Sequence, residues 1–223
     1  EGLKEAAEEV SGVSFKKWEG KRSAAQITEV KVLNEHGAKA LGKPMGSYLT
    51  LEADKLLMPD EDFHSEVSDE LALLLKGLLK QKTGKNILVA GLGNQSVTPD
   101  SLGPRTVSNL CVSAEGLKAI APGVMAQTGM ETARILLGII KEVQPDLVIA
   151  IDALAARSIR RLGTTIQLTD TGIHPGSGVG NYRNAMTEES LGVPVIGIGV
   201  PTVVDAATIV NDTMENFITA LEQ

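Results

Sequence analysis

"VAGLGNQSVTPDSLGP", residues 89–104, decides the fold. It passes from an apolar segment through a glycine turn to an acidic residue, Asp100, at the mouth of a segment with helical character. A short unbroken apolar run that ends in a Gly-x-Gly turn is how a strand covered on both faces hands the chain to a helix. The run begins at "NILVAG" (86–91), and "KAIAPGV" (118–124), "DLVIAI" (146–151), "TTIQLT" (164–169) and "PVIGIGV" (194–200) repeat its character. Helices are expected between these strands over about 101–112, over about 128–143 with Thr128 as cap, and over about 203–222 with Thr202 as cap and Asp205 in the first turn. Strands alternating with helices predict an α/β fold built on a doubly wound, mainly parallel sheet.

Upstream the pattern changes. "AAQITEVKVL" (24–33) and "GSYLTLE" (46–52) alternate as half-buried strands do, which predicts a small antiparallel element. The leucines between Asp62 and Gln81 recur as on a helix packed against the sheet. Residues 1–25 are polar and charged, with Phe15 and Trp18 as anchors. The chain therefore reads as one α/β domain over 1–223, with an N-terminal extension and small β element in 1–60 and the main α/β core in 61–223.

Composition bounds the function. At 223 residues, with 43% hydrophobic and 22% charged residues, the chain is long and apolar enough to bury a substantial core. A net charge of −7 argues against a broad nucleic-acid surface, because phosphates must be met by clustered Lys and Arg. No apolar run approaches the length that crosses a bilayer, so no membrane partner is expected. The N-terminal "EGLKEAAEEV" is acidic and helical in character, unlike a signal peptide. Cys111, the single cysteine, excludes a disulfide framework, and its apolar "NLCV" setting predicts a buried thiol.

In open α/β sheets ligands collect beyond the carboxyl ends of the strands. Three segments leave those ends and carry the chemistry: 91–101, 152–161 and 170–183. The dinucleotide reading of "GLGNQS" is poor, since Ser96 replaces the third glycine and no acidic strand end follows at the expected spacing. Asp100 has two compatible readings, a helix N-cap and a site carboxylate whose direction the helix fixes. Asp152 ends the apolar "LVIAID", where a lone charge is costly unless paired, either with Arg157, Arg160 or Arg161 or across the sheet rim with Asp100. Two carboxylates at close range do not both ionise readily; one keeps its proton while the other serves as a base, which is equipment for activating water.

"LTDTGIHPGSGVGNYR" (168–183) adds glycines that permit close backbone approach to a ligand: Gly172, Gly176, Gly178 and Gly180. Its His174 reads as a general acid, a metal ligand or a ring fixed by a backbone carbonyl. Asp170 reads as a third site carboxylate or a turn residue. Gly176-Ser177-Gly178 lacks the spacing of a nucleophile elbow, which argues against a serine hydrolase. The substrate-binding candidates are His174, Gly176, Ser177, Gly178 and Arg157, the last as partner for an acidic substrate group.

Taken together, "GLGNQSVTPDSLGP", "APGVMAQTGMET", "LVIAIDALAARSIRRLGTTIQLTDTGIHPGSGVGN" and "GIGVPTVVDAATI" resemble the germination proteases of spore-forming bacteria, from about residue 24 to about residue 212. The resemblance implies a three-layer, phosphorylase/hydrolase-like form of the doubly wound sheet, and an atypical aspartic endopeptidase that degrades small acid-soluble spore proteins in the spore core, a cytoplasmic compartment, without a cofactor. It places the two catalytic aspartates in "VTPD" and "AIDALAARS", which are Asp100 and Asp152 here. It further implies a zymogen trimmed near its N-terminus by self-cleavage, a homotetramer, and cleavage after an acidic residue. The chain is shorter than the family pattern between about Cys111 and Lys118.

A more distant resemblance is to hydrogenase maturation proteases, which share a GxGN turn, an acid after it, an apolar strand ending in Asp and a later His. In those enzymes such a trio recognises nickel in the substrate protein, and Asp100, Asp152 and His174 form the corresponding secondary candidate for a metal site. The remaining alternative is a non-catalytic binding scaffold of the same fold.

Overall fold

The computed structural model describes residues 11–80, 86–112, 116–174 and 185–221. Eight strands form one sheet: β1 (Val13–Glu19), β2 (Gln26–Val32), β3 (Gly46–Glu52), β4 (Ile87–Gly91), β5 (Leu117–Ile120), β6 (Leu147–Ala156), β7 (Thr165–Thr169) and β8 (Val195–Val204). Their spatial order is β1-β2-β3-β7-β8-β6-β4-β5. The helices among the described residues are α1 (Glu35–Leu41), α2 (Glu61–Leu79), α3 (Leu102–Ser108), α4 (Met125–Thr128), α5 (Thr132–Val143), α6 (Glu188–Leu191) and α7 (Ala206–Leu221).

The sheet has two halves. β8, β6, β4 and β5 pair in parallel; α3 lies between β4 and β5 in the chain, and α4 and α5 between β5 and β6. β1, β2, β3 and β7 are antiparallel to their neighbours, and β7 is also antiparallel to β8. The antiparallel element is thus an extension of the main sheet, welded to it by the pairing of β3 with β7.

Alternation along each strand sends residues to two cores. Val148 and Ala150 of β6 join Leu88, Ala90 and Val195 beneath Leu136 and Ile140 of α5 and Leu191 of α6. Leu147, Ile149 and Ile151 join Val89 and Ile196 against Leu78 of α2, with Leu102 and Val107 of α3 alongside. A third cluster, Ala25, Ile27, Leu51 and Val67, seats α2 on the antiparallel half with Trp18 at its edge. Each fully buried aliphatic side chain contributes about 1.5–3 kcal/mol relative to exposure, so these layers hold the strand ends firmly.

Several expectations need correction. β1 falls in the segment read as polar; its Lys16, Lys17 and Glu19 are exposed, as suits an edge strand. β5 stops at Ile120, since Pro122 lacks the N–H a central strand needs and Gly123 turns at φ +75°. Thr128 ends α4, with Gly129 at φ +70° as its cap, and α5 begins after Glu131. Thr202 lies within β8, so it caps nothing; Asp205 itself caps α7, accepting from the Thr208 backbone N–H at 2.7 Å. Cys111 lies beyond α3 and is exposed, not buried. No helix among the described residues is long and apolar enough to cross a membrane.

Candidate active site at the carboxyl rim of the parallel strands

β4 and β6 are neighbours, and the last residue of β4, Gly91, lies opposite Ile151. Asp152 is therefore the first β6 residue beyond the end of β4. It is 7% exposed, and its Oδ1 accepts from the Ala153 backbone N–H at 3.0 Å. Its partner on β8 is Gly199.

After β4 the chain bends sharply. The Leu92 N–H donates to the Ile151 carbonyl at 2.8 Å, and Gly93 takes φ +113° with no room for a β-carbon beside Asp100. A 3-10 turn, Thr98–Asp100, then packs on both β6 and β8. Three bonds fix it: Ser101 Oγ donates to the Thr98 carbonyl at 2.8 Å, Thr202 Oγ1 of β8 donates to the Pro99 carbonyl at 2.6 Å, and the Asn94 backbone N–H donates to Asp100 Oδ2 at 2.8 Å. The carboxylate of Asp100 thus faces back into its own loop. The N-cap position of α3 belongs to Ser101, so the capping reading of Asp100 is corrected. Gly103, next on α3, lies directly on the backbone of Leu92 and Ile151, where any side chain would collide. The sequence thereby brings the Asp100 turn and the Asp152 strand end to one rim.

The remaining candidates fall elsewhere. His174 is exposed and follows Ile173, whose backbone pairs with Met186 through bonds of 2.9 and 2.7 Å. The Ile173 side chain rests on the bare backbone of Gly197, which lies opposite Ala150, two residues before Asp152. Gly172 turns at φ +88° against Met186 and tolerates no side chain. Gly176, Ser177 and Gly178 lie outside the described residues. Among the described residues no three His, Cys, Asp or Glu side chains are gathered to hold a metal ion, so the trio Asp100, Asp152 and His174 is not assembled as a metal site.

Asp170 serves the fold: its Oδ1 accepts from the Ser47 N–H at 2.7 Å and ties β7 to the start of β3. Arg161 is engaged by Glu52 at 3.3 Å. Arg157 is exposed, and its charge, added to burial as the larger cause, pushes the Lys43 ammonium below its ordinary pKa. Lys43 also stands 4.5 Å over the Tyr48 ring. Burial first, with Asp170's charge adding, raises the Tyr48 phenol against the opposing effect of its bond with Thr171.

Gln127 is a site neighbour that sequence reasoning did not single out, Asn94 entered it only as the end of the GxGN turn, and Thr202 only as a helix cap. On α4 and the start of α5 an open groove of about 490 Å³ is lined by Met125, Met130 and Ile135 with Glu131 and Arg134.

A profile of the germination protease family matches residues 1–223. The germination protease of Caldanaerobacter subterraneus subsp. tengcongensis is 50% identical over 229 residues, spanning 96% of this chain and 70% of that protein. That of Clostridium perfringens (strain ATCC 13124) is 45% identical over 221 residues, spanning 93% of this chain and 68% of the relative. That of Oceanobacillus iheyensis is 47% identical over 225 residues, spanning 93% and 60%. Among solved structures, the NiFe hydrogenase maturation protease HycI from Thermococcus kodakarensis is similar at a TM-score of 0.43 and 17% identity, covering 65% of this chain and 96% of its own.

Proposed function

Because the chain belongs to the germination protease family and is thus a peptidase, we propose that it is an endopeptidase of aspartic type whose catalytic groups are Asp100 and Asp152. One observation carries this reading: the turn bearing Asp100 packs on the strand that delivers the buried Asp152, and Thr202 fastens that turn to the strand on the other side.

The chemistry follows from a carboxyl pair holding one proton. The ionised member takes a proton from water as the water oxygen attacks the peptide carbonyl carbon. The protonated member gives its proton to the carbonyl oxygen, which discharges the developing oxyanion. On collapse of the tetrahedral intermediate the C–N bond breaks and the proton first taken from water passes to the leaving nitrogen. One hydroxyl of the intermediate returns its proton to the second carboxyl group, restoring the starting pair. Burial of Asp152 strengthens each of these interactions relative to water.

The proposed substrates are small acid-soluble spore proteins, degraded in the spore core. His174, Arg157 and the glycine segment with Gly176, Ser177 and Gly178 are proposed to contact substrate. We further propose synthesis as a zymogen and assembly as a homotetramer. The exposed stripe of Val210, Met214, Phe217 and Leu221 along α7, spaced on one helical face, is apolar surface that such an assembly would bury. The test is incubation of the purified chain with a small acid-soluble spore protein, with products read by mass spectrometry. Discrete internal cleavage that disappears in Asp152→Asn is expected; an intact substrate under the wild-type chain, or undiminished cleavage by the variant, would overturn the reading.

A further inference from the structure

Asp100 sits on a turn held from two sides. Thr202 supplies one anchor, and the other comes from α4. The Gln127 side-chain amide donates from Nε2 to Asn94 Oδ1 at 2.7 Å, across 33 residues of sequence. The same Asn94 Oδ1 accepts from the Ser96 backbone N–H at 2.9 Å, which closes the loop on itself. The Asn94 backbone N–H then points at Asp100 Oδ2 at 2.8 Å. Thus one asparagine gathers the loop with its side chain and holds the carboxylate with its main chain.

Gln127 is well placed to act at a distance. Its Oε1 accepts from the Val124 N–H at 3.4 Å, which orients the amide so that Nε2 faces Asn94. α4 is closed by Gly129 and fastened to the following helix region, since Thr132 Oγ1 donates to the Gly123 carbonyl at 3.2 Å. α5 is in turn seated in the core through Leu136 and Ile140. A continuous path of contacts runs from the packed interior through Gln127 and Asn94 to the Asp100 oxygen.

We propose that Gln127 is a positioning residue which, acting through Asn94, holds the Asp100 carboxylate in its working direction. This rests on the reading of Asp100 as catalytic. An N–H donated to one carboxylate oxygen fixes the direction of the other, so loosening that bond lets the Asp100 side chain turn away from its working direction. The charged side chains on the elements packed against the turn are Asp152 on β6 and Arg105 on α3; β8 carries none. Replacing Gln127 leaves both in place.

The experiment uses the full chain and two variants. Gln127→Ala removes the whole anchor, and Gln127→Met keeps most of its length while removing the donor without adding a charge. The backbone amide proton of residue 94, whose resonance reports its bond to Asp100, is followed by NMR, and turnover of the spore-protein substrate is measured in parallel. Both variants are expected to move that resonance upfield as the bond loosens and to lower kcat on the order of tenfold with KM unchanged. Asn94→Ala should reproduce the effect, and Asn94→Ala with Gln127→Ala should be no worse than Asn94→Ala alone. An unmoved residue-94 amide resonance in both Gln127 variants overturns the proposal whatever the substrate. Full activity of Asp100→Asn instead overturns the catalytic reading beneath it.

Discussion

Gly93→Ala puts the geometry of the Asp100 turn under direct strain. Gly93 has φ +113°, and a β-carbon there would overlap the Asp100 carbonyl oxygen and lie 3.0 Å from Asp100 Oδ1. Two costs follow. An alanine held at that φ is destabilising by about 1–3 kcal/mol, which lowers Tm by about 2–4 °C per kcal/mol in a domain of this size. Relief of the overlap requires the neighbouring backbone to retreat on the order of 1 Å, and displacement of a reacting group on that scale costs about a hundredfold in rate. The two effects are separable because the packed layers on either face of the sheet do not include Gly93. Thermal melts measure the first, and kcat/KM on the proposed spore-protein substrate, taken well below Tm, measures the second. A variant that melts lower yet keeps kcat/KM within about twofold of wild type would refute the claim that this turn sets the working position of Asp100.

Thr202→Val removes the hydroxyl that reaches the Pro99 carbonyl at 2.6 Å; stability should fall by about 0.5–1.5 kcal/mol in urea unfolding, with a loss of kcat larger than that stability change accounts for, and unaltered turnover would contradict it. Leu136→Ala opens a cavity at a fully buried position under α5, and equilibrium unfolding should record a loss of about 2–5 kcal/mol. The Asp205 carboxyl is held below the ordinary aspartate range by the Thr208 backbone N–H and then the Thr208 hydroxyl. Its depressed folded pKa means that its contribution is present above the unfolded value and is lost as pH falls through the folded one. Protection against hydrogen exchange at the start of α7, taken relative to the unstructured-chain rate at each pH, should therefore fall on acidification below about pH 4, and Asp205→Ala should be poorly protected at neutral pH; identical protection in variant and wild type would refute the cap.

The parallel half of the fold was legible because its strands are short unbroken apolar runs, and "LVIAI" and "NILVA" sit side by side in the sheet core. β1 was not, since an edge strand with one packed face carries charge where a central strand carries valine, and Lys16 and Lys17 hid it. The direction of β7 was equally hidden: "TIQLT" has the same composition whether it runs with β8 or against it, and the choice is made by its pairing with β3. At the site, Asp152 stood out as a charge ending an apolar strand, and Asp100 as an acid after a glycine turn. The roles of Asn94, Gln127 and Thr202 were hidden, Thr202 being read as a helix cap, because the bonds Gln127–Asn94 and Thr202–Pro99 join residues 33 and 103 positions apart and follow no local period.

The account stands on Asp100 and Asp152 acting as a unit, and a double-variant cycle tests that most directly. Groups that handle one proton together are grossly non-additive. Asp100→Asn and Asp152→Asn should each drop kcat to a common floor, and the double variant should lie on that same floor. Two partial losses that multiply in the double variant, or turnover that survives both replacements, would contradict it.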